Sequence, residues 1–270
     1  MASHSDERYL HGHHESVLRS HAWRTAENSA AYLIPHLRPG LDVLDVGSGP
    51  GTITLDLARL VSPGRVIGID ASDQVVANAT GLAGDNDLAN VEFRTGDAYA
   101  LDFPDASFDV VHAHQVLQHL ADPVAALREF RRVLRPGGIV AVRDVDYGAT
   151  VWFPQLPALD EWLRIYVDAA HNAGGEPYAG RRLKSWAIEA GFDNVASSAS
   201  VWCFASDAER EWWGLSWAAR ATESDYAAVA IEGGHATVSE LREVASAWRE
   251  WASAKNGWFT LTHGEVIARA

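Results

Sequence analysis

Three acidic residues recur in the first half of the chain, each in or just after a short apolar run: Asp45 within Val43-Leu44-Asp45-Val46, Asp70 closing Val66-Ile67-Gly68-Ile69, and Asp97 in Thr95-Gly96-Asp97-Ala98. The first run leads into Gly47-Ser48-Gly49-Pro50-Gly51, where alternate glycines let the backbone turn sharply and let a ligand approach without a Cβ in the way. Asp70 lies nineteen residues beyond Gly51, a position from which a carboxylate accepts both hydroxyl hydrogens of a ribose. Asp97 is spaced to accept from an exocyclic adenine amine. The pattern argues for an adenosine-containing ligand. A dinucleotide turn needs G-x-G-x-x-G, but Thr52 stands at the third glycine's place and Gly51 comes one residue early. With no lysine or arginine in the loop, the acids suit a cationic sulfonium better than a pyrophosphate.

Such a loop works only if strands and helices hold it, and the periodicity supplies them. After the strand at 42–46 come a helix over 52–60, a strand at 66–69, a helix over 74–82, strands at 91–94 and 108–113, a helix over 123–134, and a strand at 139–143 entered through Arg135-Pro136-Gly137-Gly138. Alternating strands and helices mean a parallel sheet covered on both faces, with ligands at the strands' C-terminal edge. Before this unit, Val17, Leu18, Ala22, Ala26, Ala30, Leu33 and Leu37 predict one helix ending at Pro39-Gly40. After it, helices are expected over 159–173, 182–190 and 208–255, a strand region reaches 204, and residues 258–262 and 266–268 form a final strand pair or one bent strand. The expected organisation is therefore an N-terminal helical cap (1–40), an α/β core (41–204), a Trp-rich helical insertion (205–256) and a last core strand (257–270).

The ordered set Leu44-Asp45-Val46-Gly47-Ser48-Gly49-Pro50-Gly51, Gly68-Ile69-Asp70, Gly96-Asp97-Ala98, Phe103-Pro104-Asp105-Ala106-Ser107-Phe108-Asp109-Val110-Val111, His119-Leu120-Ala121-Asp122-Pro123 and Leu134-Arg135-Pro136-Gly137-Gly138 resembles the class I S-adenosylmethionine-dependent methyltransferases. It is most similar to their small-molecule group of the ubiquinone- and menaquinone-biosynthesis type. The resemblance implies a three-layer Rossmann-like α/β fold: a seven-stranded, mostly parallel sheet whose last strand is antiparallel. It also implies that Gly47, Ser48 and Gly49 line the methionine part of S-adenosylmethionine, Asp70 holds the ribose, and Ala71 or Ser72 flanks the adenine. Gly96, Asp97 and Ala98 would recognise the adenine edge, His114 and Gln115 would approach the sulfonium, and Asp45 would orient the loop or a water near the cofactor amine.

Methyl transfer from a sulfonium needs alignment first, and a general base only when the acceptor carries a proton. His119 is the first candidate base by position, with His114 beside it; a structural histidine bonded to backbone is the competing role for His119. Tyr9, His21 and Arg24 in the N-terminal segment, and Asp144 at the end of the fifth strand, are candidates to line the acceptor. Trp213 and Trp217 form an i, i+4 pair that cannot include Trp212, so one indole is spare for a pocket wall; Trp213 is the one assigned to the acceptor. The N-terminal histidines lack the further ligands a zinc site needs, so no metal is expected.

Across 270 residues, 47% hydrophobic and 21% charged, the composition is that of a folded globular chain. A formal charge of −14 opposes a nucleic-acid backbone, and the cluster Arg128, Arg131, Arg132 and Arg135 reads as a solvated helix face. The single cysteine, Cys203, excludes an internal disulfide and is expected as a small core residue. No apolar run approaches the roughly 18 residues of a membrane span, and the expected location is the cytoplasm. Expected partners are a small-molecule acceptor and at most a second copy of the chain, with no nucleic acid and no membrane insertion. Two rivals remain: a nicotinamide-dependent oxidoreductase, which Thr52 disfavours, and a non-catalytic adenosyl-binding protein.

Overall fold

The computed structural model of the chain describes residues 23–270. After a short helix α1 (Ala26–Ser29) the core opens with β1 (Val43–Val46), α2 (Thr52–Val61), β2 (Val66–Asp70), α3 (Asp73–Asp85), β3 (Val91–Thr95) and β4 (Phe108–His114). It continues through α4 (Pro123–Val133), β5 (Leu134–Val145), β6 (Val151–Phe153), α5 (Pro157–Asn172), α6 (Ala179–Glu189) and β7 (Asp193–Phe204). Helices α7 (Asp207–Glu223), α8 (Asp225–Glu232) and α9 (Val238–Ser253) precede the last strand, β8 (Trp258–Arg269).

The sheet runs β3-β2-β1-β4-β5-β8-β6, with β7 on the other edge of β8. Pairing is parallel from β3 to β5 and antiparallel around β8, which meets β5 along His263–Arg269, β6 along Trp258–Thr260, and β7 along almost its whole length. The sheet thus has eight strands rather than seven. The extra one, β6, is three residues stopped by Pro154, too short to show an alternating pattern. The final segment is one long strand, not a pair.

Helices cover both faces because β1, β4 and β5 are apolar on both. Leu44, Val46, Val111 and Val142 pack with Leu127 and Phe130 of α4 and Leu183 and Trp186 of α6. On the other face, Val43, Val110 and Ala141 pack with Leu57, Ala58 and Val61 of α2 and with Ala30 and Leu33 from the N-terminal segment. A third core joins α5, α7 and α9 to β6, β7 and β8 through Trp162, Trp213, Trp217, Trp248, Trp251 and Phe259.

Three expectations need correcting. The helix read up to Leu37 stops at Ser29, where Ala30 leaves the helical region at φ −136°, and the chain resumes only as a 3₁₀ turn over Ile34–His36, in which Pro35 has no N–H to extend an α-helix. The Arg135-Pro136-Gly137-Gly138 turn is absorbed into β5, where the register to β4 slips between Phe108 and Val110 and Gly137 sits at φ +79°. Cys203 is exposed, because β7 is an edge strand with an uncovered outer face.

Candidate functional site

The glycine loop leaves β1 at the C-terminal edge of the sheet and enters α2. At Gly47, φ is +68° and a Cβ would stand 2.4 Å from Cγ2 of Val116, so only glycine fits. At Gly49, φ is +54° and nothing lies within 4 Å of where a Cβ would be, so this backbone faces open space. Its N–H donates to Oδ2 of Asp70 at 3.1 Å, and the Ser72 N–H donates to Oδ1 at 3.1 Å. Asp70 therefore ties the loop to the start of α3 while remaining only half-buried. A carboxylate has acceptor sites for further hydrogen bonds, such as those of a ribose. The Ser48 hydroxyl is buried without a partner inside the same loop.

The remaining adenosine-side residues follow β2 and β3. Ala71 is exposed, and Ser72 caps α3 by accepting from the Val75 N–H. The Gly96 N–H donates to the Asp70 carbonyl at 3.0 Å, so the ends of β2 and β3 stay side by side. Asp97 is exposed and accepts from the Tyr99 N–H at 2.8 Å; Ala98 packs against the core under α4. An open backbone cradle, a buried unpartnered hydroxyl and a clasping acid fit an adenosylated amino acid.

Asp45 points elsewhere. Its Oδ1 lies 2.7 Å from Nδ1 of His112, and its Oδ2 accepts from the Thr54 hydroxyl at 2.6 Å. With both oxygens occupied, it joins β1 to β4 and α2 and orients the loop from below.

Beyond β4 the chain turns through Gln115 at φ +55°, a conformation seldom adopted by a residue with a side chain. The Gln115 N–H donates to the Arg143 carbonyl at 2.7 Å; its side-chain oxygen accepts from Nη2 of Arg24 at 2.7 Å, and its side-chain nitrogen lies 2.9 Å from Nε2 of His263. Its neighbour His114 is buried, and neither ring nitrogen has a partner. Burial, then the charges of Arg143 and Arg24, push the His114 imidazole well below its usual pKa, so it is a neutral base.

His119 ends the following 3₁₀ turn, with Nε2 against the side-chain nitrogen of Gln118 at 3.0 Å, and burial lowers it to about 3. Both side chains line a small recess with Tyr166, Ala170 and Pro177. Asp144 accepts from the Gln118 N–H at 3.1 Å and is held up to about 8, chiefly by burial. It projects from the opposite face of β5 to Arg143, so it braces the 3₁₀ turn.

Of the remaining candidates, Tyr9 and His21 lie outside the described residues. Arg24 reaches Gln115 as given above. Trp213 is stacked on Phe204 at a centroid distance of 4.3 Å inside the third core, so it is structural packing; the half-buried indole is Trp212, 5.4 Å from Trp23. Sequence reading missed Arg143, Trp202 and His263, which lie beside His114, and Tyr32 and Glu265, which lie near Arg143. The usable signal was His263 and Glu265 two residues apart in a strand with no other acid or histidine. Among the described residues, no group of His, Cys, Asp or Glu is placed to hold a metal, and no helix is long and apolar enough to cross a membrane.

A family described as a methyltransferase domain matches residues 37–191. The chain is similar to an uncharacterized methyltransferase, C1B3.06c, of Schizosaccharomyces pombe, with 36% identity over 96% of this chain and 95% of the relative. It is 36% identical to the demethylmenaquinone methyltransferase of Lactococcus lactis over 54% of this chain and 56% of that one. Among solved structures, the YcgJ protein of Bacillus subtilis superposes with a TM-score of 0.58 at 22% identity, covering 90% of this chain and 98% of that chain.

Proposed function

We propose that this chain, which belongs to the class I S-adenosylmethionine-dependent methyltransferases, methylates an oxygen or carbon atom of a small molecule with a largely apolar body, with His114 as the base. Bound at the glycine loop, S-adenosylmethionine supplies a methyl group on a positively charged sulfur that leaves as a neutral thioether. The loop's Gly47 and Gly49 backbone, with Ser48, would hold the methionine portion, Asp70 the ribose, and Ala71, Ser72, Gly96, Asp97 and Ala98 the adenine side. Asp45 positions the loop through Thr54 and His112.

The observation that carries the reading is the unpartnered His114 imidazole next to the glycine loop. β1 and β4 pair as far as Val46 with Ala113, so Gly47 and His114 are neighbours at the sheet edge. A hydroxyl or enol there would give its proton to a neutral His114 nitrogen as the methyl group arrives. His119 contacts Gln118 across the recess, which favours a role in shaping the floor rather than in proton transfer. The quinone-related relative and the aromatic cluster of Trp23, Trp202 and Trp212 support an apolar acceptor body.

Transfer of a radiolabelled methyl group to a panel of phenols, hydroquinones and enols tests this. Expected are methylation of at least one acceptor and a hundredfold or greater loss of turnover in His114→Gln, with S-adenosylhomocysteine affinity retained. Full activity of His114→Gln would remove the histidine from the chemistry. Heat from NAD with none from S-adenosylhomocysteine would remove the cofactor assignment.

A further inference from the structure

Four cross-strand partners form a polar row beneath the N-terminal segment: His114 on β4 pairs with Arg143 on β5, Arg143 with Glu265 on β8, and Glu265 with Ser198 on β7. Directly paired residues project from one face of a sheet, so these side chains lie side by side, and His263 joins them two residues from Glu265. Arg143 is only 1% exposed. Its Nε lies 3.3 Å from Glu265 Oε1 and 3.1 Å from the Ser200 hydroxyl, but neither Nη1 nor Nη2 has any partner.

This asymmetry carries the argument. Glu265 is also satisfied by the hydroxyls of Ser198 and Ser200, and it meets the guanidinium only on the Nε side. The opposite edge, a planar fork of N–H donors, is buried and unmet. More than nine in ten buried polar groups find a partner, and buried donors of a charged group left unmet are among the costlier exceptions. Four other unpartnered buried polar atoms share the neighbourhood: both ring nitrogens of His114, Nε2 of His112 and the hydroxyl of Tyr32. The Tyr32 hydroxyl is pushed up by burial and feels Arg143 as its strongest charged neighbour. Trp202 completes the enclosure, with the guanidinium carbons of Arg143 and Arg24 at 4.9 and 5.6 Å from its ring centroid.

We infer that the Nη fork of Arg143, with the Tyr32 hydroxyl, is a seat for a carboxylate carried by the methyl acceptor, placing the acceptor's hydroxyl or enol against His114. A carboxylate matches the spacing of two parallel guanidinium N–H bonds, which an alcohol or a quinone carbonyl does not. The acceptor is thus an acid with an apolar, aromatic-sized body rather than a wholly neutral molecule. This assignment rests on the methyltransferase reading of the site and adds its substrate class.

Isothermal titration of the full chain, saturated with S-adenosylhomocysteine, tests it with an isosteric pair: 1-hydroxy-2-naphthoate and 1-hydroxy-2-naphthamide. The acid is expected to bind at least tenfold more tightly. In the double variant Arg143→Met, Glu265→Gln, which leaves no unpaired charge, the preference should vanish while S-adenosylhomocysteine affinity stays within a few fold. Acid binding no tighter than amide binding, including the case where neither binds, overturns the carboxylate seat, and so does a preference that survives in the double variant. The wild-type comparison decides alone if the variant fails to fold. Failure of S-adenosylhomocysteine to bind in the first titration would instead sink the methyltransferase reading.

Discussion

The Nδ1 of His112 stands 2.7 Å from Oδ1 of Asp45 in the buried interior between β1 and β4, while Thr54 of α2 donates to the other carboxylate oxygen. One acid therefore fixes the strand before the glycine loop to the helix after it. Asp45→Ala should cost about 3 kcal/mol of unfolding free energy, since it strands a buried imidazole and a hydroxyl together. Asp45→Asn, which still accepts from Thr54, should cost less than half of that. Urea unfolding of the two variants checks the order, and equal losses would mean the contacts contribute nothing specific.

Asp70 clasps the loop by accepting the N–H groups of Gly49 and Ser72, and it is the residue proposed above to hold the ribose. Loss of charge-assisted bonds to two ribose hydroxyls and of the loop clasp predicts a fall of about a hundredfold in S-adenosylhomocysteine affinity for Asp70→Ala. Calorimetry reads this directly. Wild-type affinity in that variant would refute the ribose assignment.

Three histidines with lowered pKa set the response to acid. His114, His119 and His263 are all lowered in the folded chain, mainly by burial, with the charge of Arg24 acting on each and that of Arg143 on His114 and His263. Below about pH 6.5 the unfolded chain takes up three protons that the folded chain refuses, so stability must fall as pH falls. Asp144 partly offsets this, because the folded chain keeps a proton there that the unfolded chain releases. A net difference of about two protons predicts a loss approaching 3 kcal/mol per pH unit between roughly pH 6 and 5. Identical urea midpoints at pH 7.5 and 5.5 would contradict the burial of these rings.

The part of the site that sequence revealed is local in the chain. Glycines 47 and 49 and the acids at the ends of β1, β2 and β3 sit where strands end, and residue type alone identifies such positions. The polar row was hidden because its members, from His114 to Glu265, meet only after four strands pair in non-sequential order. The Trp213 and Trp217 pair was read with the right helical spacing, yet both indoles went to the core, because that face of α7 packs against α9 and the ends of β7 and β8 and leaves Trp212 half-buried outside it. Periodicity says which residues share a face, and topology decides what that face meets.

Asp144 gives the opposite pH trend and can be tested alone. Burial raises it to about 8, so the folded chain holds its proton from about pH 4 to 8 while the unfolded chain does not, and stability drains away as pH rises through that window. Asn at this position still accepts from the Gln118 N–H and has no proton to lose. Asp144→Asn should match the wild type near pH 4 and exceed it by about 5 kcal/mol at pH 7.5. A gap that does not widen with pH would show that Asp144 is ionised in the fold.

Gln115 holds a left-handed backbone, φ +55°, while its side chain contacts Arg24 and His263. Two effects must be separated, the strain at Cα and the side-chain contacts. Ala and Gly both delete the contacts, but only glycine relieves the strain, so Gln115→Gly should be about 1 kcal/mol more stable than Gln115→Ala. At an ordinary helix or strand position the preference runs the other way. Both variants should lose turnover alike, because each releases Arg24 and His263 from the turn that sets His114. A Gly variant less stable than the Ala variant would place Gln115 in an unstrained turn, whereas the predicted order, joined to equal loss of activity, would show that the strain is maintained to hold the side-chain amide between Arg24 and His263.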